Sequence, residues 1–152
     1  DVCSSDLAVY SASNTTPWIL QVKQGGTIVA MDTTGVQTPN GSLVSQKDYV
    51  TVLTEGTQVY FVARDGTVVV YDNSYEFGQV GSMRVMSTGI SGVYSGALTN
   101  RYLALNTKTS SNIYYANKLT GTSQNMQGIG QQNGLLVWDG ARYLYELAQQ
   151  IH

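Results

Sequence analysis

Four segments of this chain share one plan: an apolar, β-branched run, a tight turn, and a second such run. Trp18 to Val22 is followed by Gly25-Gly26 and then Thr27 to Asp32. Val59 to Ala63 is followed by Asp65-Gly66 and Thr67 to Asp72. Val93 to Leu98 turns near Thr99-Asn100 into Tyr102 to Asn106, and Leu135 to Trp138 turns at Asp139-Gly140 into Arg142 to Tyr145. Val, Ile, Tyr and Thr suit a pleated, half-buried surface. Gly-Gly and Asp-Gly supply the positive φ that tight hairpin turns need. The pattern predicts an all-β chain of antiparallel hairpins. Its turns fall at Gly26, Gly66, Asn100 and Gly140, which are 40, 34 and 40 residues apart. Tyr49 to Leu53, Met83 to Met86 and Ile113 to Ala116 read as further strands, giving three or four per unit. Thr33 to Ser42 and Thr120 to Gly134 read as polar connectors. The end is ambiguous, since Ala141 to Ile151 also holds good helix formers, but the hairpin pattern favours an extended Arg142 to Glu146.

Composition agrees. Ser, Thr, Asn and Gln make up 51 of 152 residues, and charged residues only 12%. Eight basic against ten acidic residues, with no basic patch, argue against nucleic-acid binding through phosphates. No apolar run is long enough for a membrane-spanning helix. The low-charge surface, rich in Thr, Asn, Gln and Tyr, points to an extracellular or virion setting.

Three places carry an Asp or Asn followed by turn residues: Met31-Asp32-Thr33-Thr34-Gly35, Tyr71-Asp72-Asn73-Ser74, and Ala116-Asn117-Lys118-Leu119-Thr120-Gly121. There the side chain can cap the turn and the glycine supplies a left-handed residue. On these residues the chain resembles quinoprotein-like and WD-type β-propeller repeats, in which a strand pair closes with a D-x-x-T-G-like turn. The resemblance covers most of residues 17–147 and implies a partial β-propeller of hairpin repeats about 40 residues long. The Gly-His signature of WD repeats is absent. The alternative fold is a β-trefoil, because Arg101 to Asn106 is similar to the first strand of lectin-type trefoil repeats, although their Q-x-W signature is missing.

Asp1-Val2-Cys3-Ser4-Ser5-Asp6-Leu7 resembles the in-frame translation of a widely used sequencing-adapter oligonucleotide. On that reading residues 1–7 are a non-native artefact. Residues 8–152 are then a single β-repeat domain truncated upstream, without native cysteine, and with eight acidic against eight basic residues.

No catalytic constellation can be assembled from the sequence. His152 is the terminal residue, and no native Cys or second His is available for a nucleophile-base pair. Asp72 and Glu76 are close, but nothing orients them as a glycosidase pair. No window has the carboxylate density of a calcium loop. No cofactor or metal is expected. Aromatics remain: most lie in strands and serve as core, whereas Trp138, Tyr75 and Tyr94 are the candidates for a ligand-binding surface, because exposed Tyr and Trp stack on sugars or anchor protein partners. The sequence therefore predicts a non-enzymatic binding or assembly module of a secreted or phage-tail protein, with a protein or carbohydrate partner. Two alternatives stay open: a carbohydrate-binding trefoil lectin, and a piece of a propeller glycosidase or quinoprotein whose active site lies outside this chain.

Overall fold

The structure, a computed structural model, describes residues 7–11, 18–22, 28–31, 47–72, 83–126, 134–138, 140 and 144–147, and every regular element among them is a β-strand. Strands β1 (Leu7–Ser11), β2 (Trp18–Val22) and β3 (Ile28–Met31) form a first antiparallel sheet. A second, four-stranded sheet runs β4 (Tyr49–Glu55), β5 (Gln58–Ala63), β6 (Thr67–Asp72), β7 (Met83–Ser87). The third repeats that order with β8 (Val93–Leu98), β9 (Tyr102–Thr107), β10 (Ile113–Asn117) and β11 (Ser123–Met126). A fourth has two described strands, β12 (Leu135–Trp138) and β13 (Leu144–Leu147). Each sheet is a plain meander of strands consecutive in sequence, and the later sheets stack face to face. These are the blades of a partial β-propeller, and the topology sets the trefoil aside. Leu144–Leu147 is extended, as the hairpin pattern requires.

The internal period differs from the one that the turns suggest. Asp65-Gly66 closes β5 onto β6, the second and third strands of a blade, whereas Thr99-Asn100 and Gly140 lie between first and second strands. The turn equivalent to Asn100 in the preceding blade is at Gly56, between β4 and β5. Matched correctly, the first turns at Gly56, Asn100 and Gly140 are 44 and 40 residues apart. The interval of 34 compared two different turns.

The Asp65-Gly66 turn is also not the two-residue primed turn that the dipeptide suggests. Gly66 N–H donates to the Ala63 carbonyl at 3.0 Å, so Arg64 and Asp65 are the central residues and Gly66 follows them at φ +88°. Asp65 Oδ1 then accepts from Thr67 N–H at 2.9 Å. Space as well as conformation requires glycine here, because a Cβ on Gly66 would lie 2.2 Å from the Ile90 carbonyl oxygen. The Asn117 turn follows the sequence expectation: its Oδ1 accepts from Leu119 and Thr120 N–H at 2.8 and 3.1 Å, and Gly121 adopts φ +80°.

Burial explains why the central strands read as unbroken apolar runs. β5 and β6 are buried on both faces, so alternation disappears. Tyr60, Val62, Val68, Val70 and Met86 pack against Val93, Leu103, Leu105 and Ala116 of the third sheet. On the opposite side of the second sheet Val59, Phe61 and Val69 are equally buried. Each such side chain contributes roughly 1.5–3 kcal/mol on burial. Outer strand β7 reverts to a mixed pattern, with Val85 exposed. The far face of the third sheet packs Ala97, Ala104 and Ile113 against Leu136, with Leu144 at its margin.

Candidate functional site

The first strands of successive blades are neighbours: β4 lies against β8, and β8 against β12. Their starting ends converge on an open depression of about 380 Å³ lined by Asp48, Tyr49, Val50, Arg64, Tyr94, Lys108 and Leu135. Two β-bulges shape it. The register of β4 on β5 shifts between Tyr49 and Thr51, and that of β8 on β9 between Val93 and Ser95. Val50 and Tyr94 are the extra residues, 44 positions apart and equivalent in the two blades. A bulge breaks the ladder and re-aims one side chain; Tyr94 is thereby left half-buried at the rim.

Arg64 joins the two starting strands. Its N–H donates to the Asp48 carbonyl at 2.8 Å, its carbonyl accepts from Val93 N–H at 3.0 Å, and its Nε donates to Asp48 Oδ2 at 2.7 Å. One blade on, Lys108 N–H donates to the Gly92 carbonyl at 3.1 Å. Arg64 and Lys108 are thus equivalent, and the second and third blades each bring one cation to the depression. Lys47 pairs with Asp65 at 3.0 Å. The Thr67 N–H, and then Lys47, hold the Asp65 carboxyl below the usual carboxylate range. Burial, reinforced by the negative charge of Asp65, pushes the Tyr49 phenol up to about 12, so it stays neutral.

Beneath the Tyr94 bulge lies a buried polar knot. Asn106 Oδ1 accepts from Ser95 N–H at 3.0 Å and lies 2.8 Å from Ser95 Oγ, which is also 3.0 Å from the Gly134 carbonyl. Asn106 Nδ2 donates to the same carbonyl, and Leu136 N–H donates to Ser95 Oγ at 3.2 Å. This knot ties the third sheet to the start of β12.

Of the three aromatic candidates, Tyr94 lines the depression. Trp138 ends β12 opposite Leu144, at the far end of that strand from Leu135, so the two are not brought together. Tyr75 lies outside the described residues. Asp48, Arg64 and Lys108 are not evident from local sequence. The signal that finds them is the 44-residue interval itself, which superimposes Asp48 to Arg64 on Gly92 to Lys108. Among the described residues no three His, Cys, Asp or Glu side chains group as a metal site, and no helix is long and apolar enough to cross a membrane.

No family model and no curated protein matches the chain. Solved structures do. The β-propeller domain of Cps50 (Swd1) from Myceliophteria thermophila aligns with a TM-score of 0.63 at 18% identity, covering 91% of this chain and 46% of that one. YCF48 from Cyanidioschyzon merolae aligns with a TM-score of 0.59 at 10% identity, covering 91% and 47%. The computationally designed Ika4 protein aligns with a TM-score of 0.58 at 19% identity, covering 93% and 92%. At these identities the likeness shows the propeller fold alone. The chain spans a little under half of the Swd1 and YCF48 chains.

Proposed function

We propose that the chain is a non-enzymatic propeller-type binding module, and that it engages a protein partner through the depression where β4, β8 and β12 begin. The observation that carries this reading is the pairing of a bulge-presented aromatic, Tyr94, with equivalent cations, Arg64 and Lys108, from two successive blades. Tyr and Arg are enriched at the centres of protein interfaces. The depression is open and mixed in charge, whereas small-molecule sites are enclosed and mostly apolar. The low-charge, amide- and hydroxyl-rich composition favours an extracellular or virion setting, such as a secreted or phage-tail protein.

A photo-cross-linking residue at position 94, compared with one at position 119, tests the reading in the source culture. Leu119 is highly exposed at the opposite end of the blades. A discrete protein adduct from position 94 only, lost on Arg64→Glu with Lys108→Glu, is the expected result. Equal labelling from both positions, or none from 94, argues against it.

A further inference from the structure

We infer that the cleft between the β7–β8 loop and the outer strands of the third sheet binds one ring of a neutral saccharide, with the Thr107 hydroxyl at its floor. Apart from tyrosines, four polar residues are buried among the described ones: Thr88, Ser95, Asn106 and Thr107. Three of them are engaged. Thr88 Oγ1 donates to the Gly66 carbonyl at 2.8 Å, and Ser95 and Asn106 form the knot that reaches Gly134. Thr107 is only 2% exposed, but its Oγ1 has no hydrogen-bond partner among the described residues. A buried hydroxyl in that state is costly, and the fold does not require it. By the equivalence of Arg64 and Lys108, the matching residue of the second sheet is Ala63, which is also buried.

Thr107 follows Leu103 and Leu105 on the face of β9 that is turned to the second sheet. There it lines a cleft of about 280 Å³, between Gly89, Ile90 and Ser91 on one side and Tyr114, Ser123 and Asn125 on the other. Apart from Gly89, Ile90 and Tyr114, every lining residue carries a hydroxyl or an amide, and none carries a charge. The walls are tied in place. Ser123 Oγ donates to the Thr88 carbonyl at 2.8 Å, and Asn112 N–H donates to Ser110 Oγ at 3.0 Å. This lining selects by exclusion. An ion would give up water without meeting a counter-charge, and an apolar group would strip hydroxyls and amides of their hydrogen bonds. The volume is at the small end of ligand sites and far below the reach of a protein interface. A saccharide ring meets all three conditions: it is uncharged, its hydroxyls both donate and accept, and its C–H face suits the Tyr114 ring. The site is distinct from the Tyr94 depression, whose walls are charged.

The test is titration of the isotope-labelled full chain with glucose, galactose, mannose and N-acetylglucosamine and with their methyl glycosides, read by amide chemical shifts. Methyl glucuronide serves as the charged control. The expected result is saturable binding of at least one neutral sugar at a Kd of roughly millimolar or tighter, with shifts centred on Gly89 to Ser91 and Thr107 to Ser110. Binding of the glycoside assigns a chain-borne unit, and binding of the free sugar alone a soluble one. Thr107→Val removes the hydroxyl at nearly constant volume; it should weaken binding about tenfold without lowering Tm, while Thr107→Ser retains affinity. If Thr107→Val does not fold, Asn125→Ala at the exposed side of the cleft decides, with an expected loss of several-fold. The inference is overturned if no neutral sugar saturates the chain, if the glucuronide binds as tightly as the neutral sugars, or if folded Thr107→Val or Asn125→Ala binds unchanged. Shifts centred on Tyr102 and Tyr115 instead would equally overturn it.

Discussion

The two interblade interfaces use one strand plan but different chemistry. Between the second and third sheets the contact is apolar and deep, built on Tyr60, Val62, Val68, Val70, Leu103 and Leu105. Its rims are closed by Arg84 on the Lys118 and Leu119 carbonyls and by Lys118 on Glu55 at 2.6 Å. Between the third and fourth sheets the apolar contact among the described residues is made by Ala97, Ala104, Ile113 and Leu136, with Leu144 at its margin. The Ser95, Asn106 and Gly134 knot accompanies it. Apolar burial is non-directional and scales with area, so the first interface supplies adhesion. A buried hydrogen-bond network is costly unless complete, so the second specifies position more than it adds stability.

The largest effect should come from cutting the apolar interface. Leu105→Ala is expected to cost about 3–5 kcal/mol, against about 2 kcal/mol for Leu136→Ala, as measured by denaturant unfolding. Equal costs would erase the contrast. The polar knot comes next. Asn106→Ala leaves the Ser95 amide and the Gly134 carbonyl without this partner and should cost about 2–3 kcal/mol. Amide exchange should rise at Leu135 to Trp138 while β5 and β6 keep their protection. Uniform loss of protection would mean that the two interfaces do not act separately.

Two smaller effects sharpen the same contrast. The Tyr49 Oη is buried without a hydrogen-bond partner among the described residues, and its pKa is raised to about 12. Stability from the neutral phenol is complete below its unfolded pKa, near 10. It is lost as pH rises through about 12. Tyr49→Phe should therefore raise stability at neutral pH by up to about 1–2 kcal/mol and flatten the alkaline decline. An unchanged alkaline limb would assign that decline to another group. The smallest change is expected from Glu55→Gln at the far rim. Glu55 is partly exposed, so its pair with Lys118 should contribute no more than about 1 kcal/mol, screened by salt. A salt-independent loss above that would make the rim pair part of the interface proper.

Much of the fold is legible in the chain because its signals are local. Unbroken Val, Tyr and Phe runs identify β5 and β6, Asp65-Gly66 identifies their turn, and Asn117 with Gly121 identifies the close of β10. Val59, Phe61, Val68, Val70, Leu103, Leu105 and Leu136, which lie in the paired apolar runs, are all buried. β11 was not legible. Ser123-Gln124-Asn125-Met126 has almost no apolar content, and it is a strand only because the edge of β10 is there to pair with it. The same holds for the site: Tyr94 stands out as an aromatic, but nothing local marks Arg64, Lys108 or Asn106. The sequence by itself determined the all-β class, the hairpins and the buried runs, since propensity, turn conformation and hydrophobicity act over a few residues. Only the tertiary structure decided which turns are equivalent, where the bulges fall and which polar residues meet. Those depend on register between strands about 44 residues apart in sequence, and register is set by the packing of whole faces.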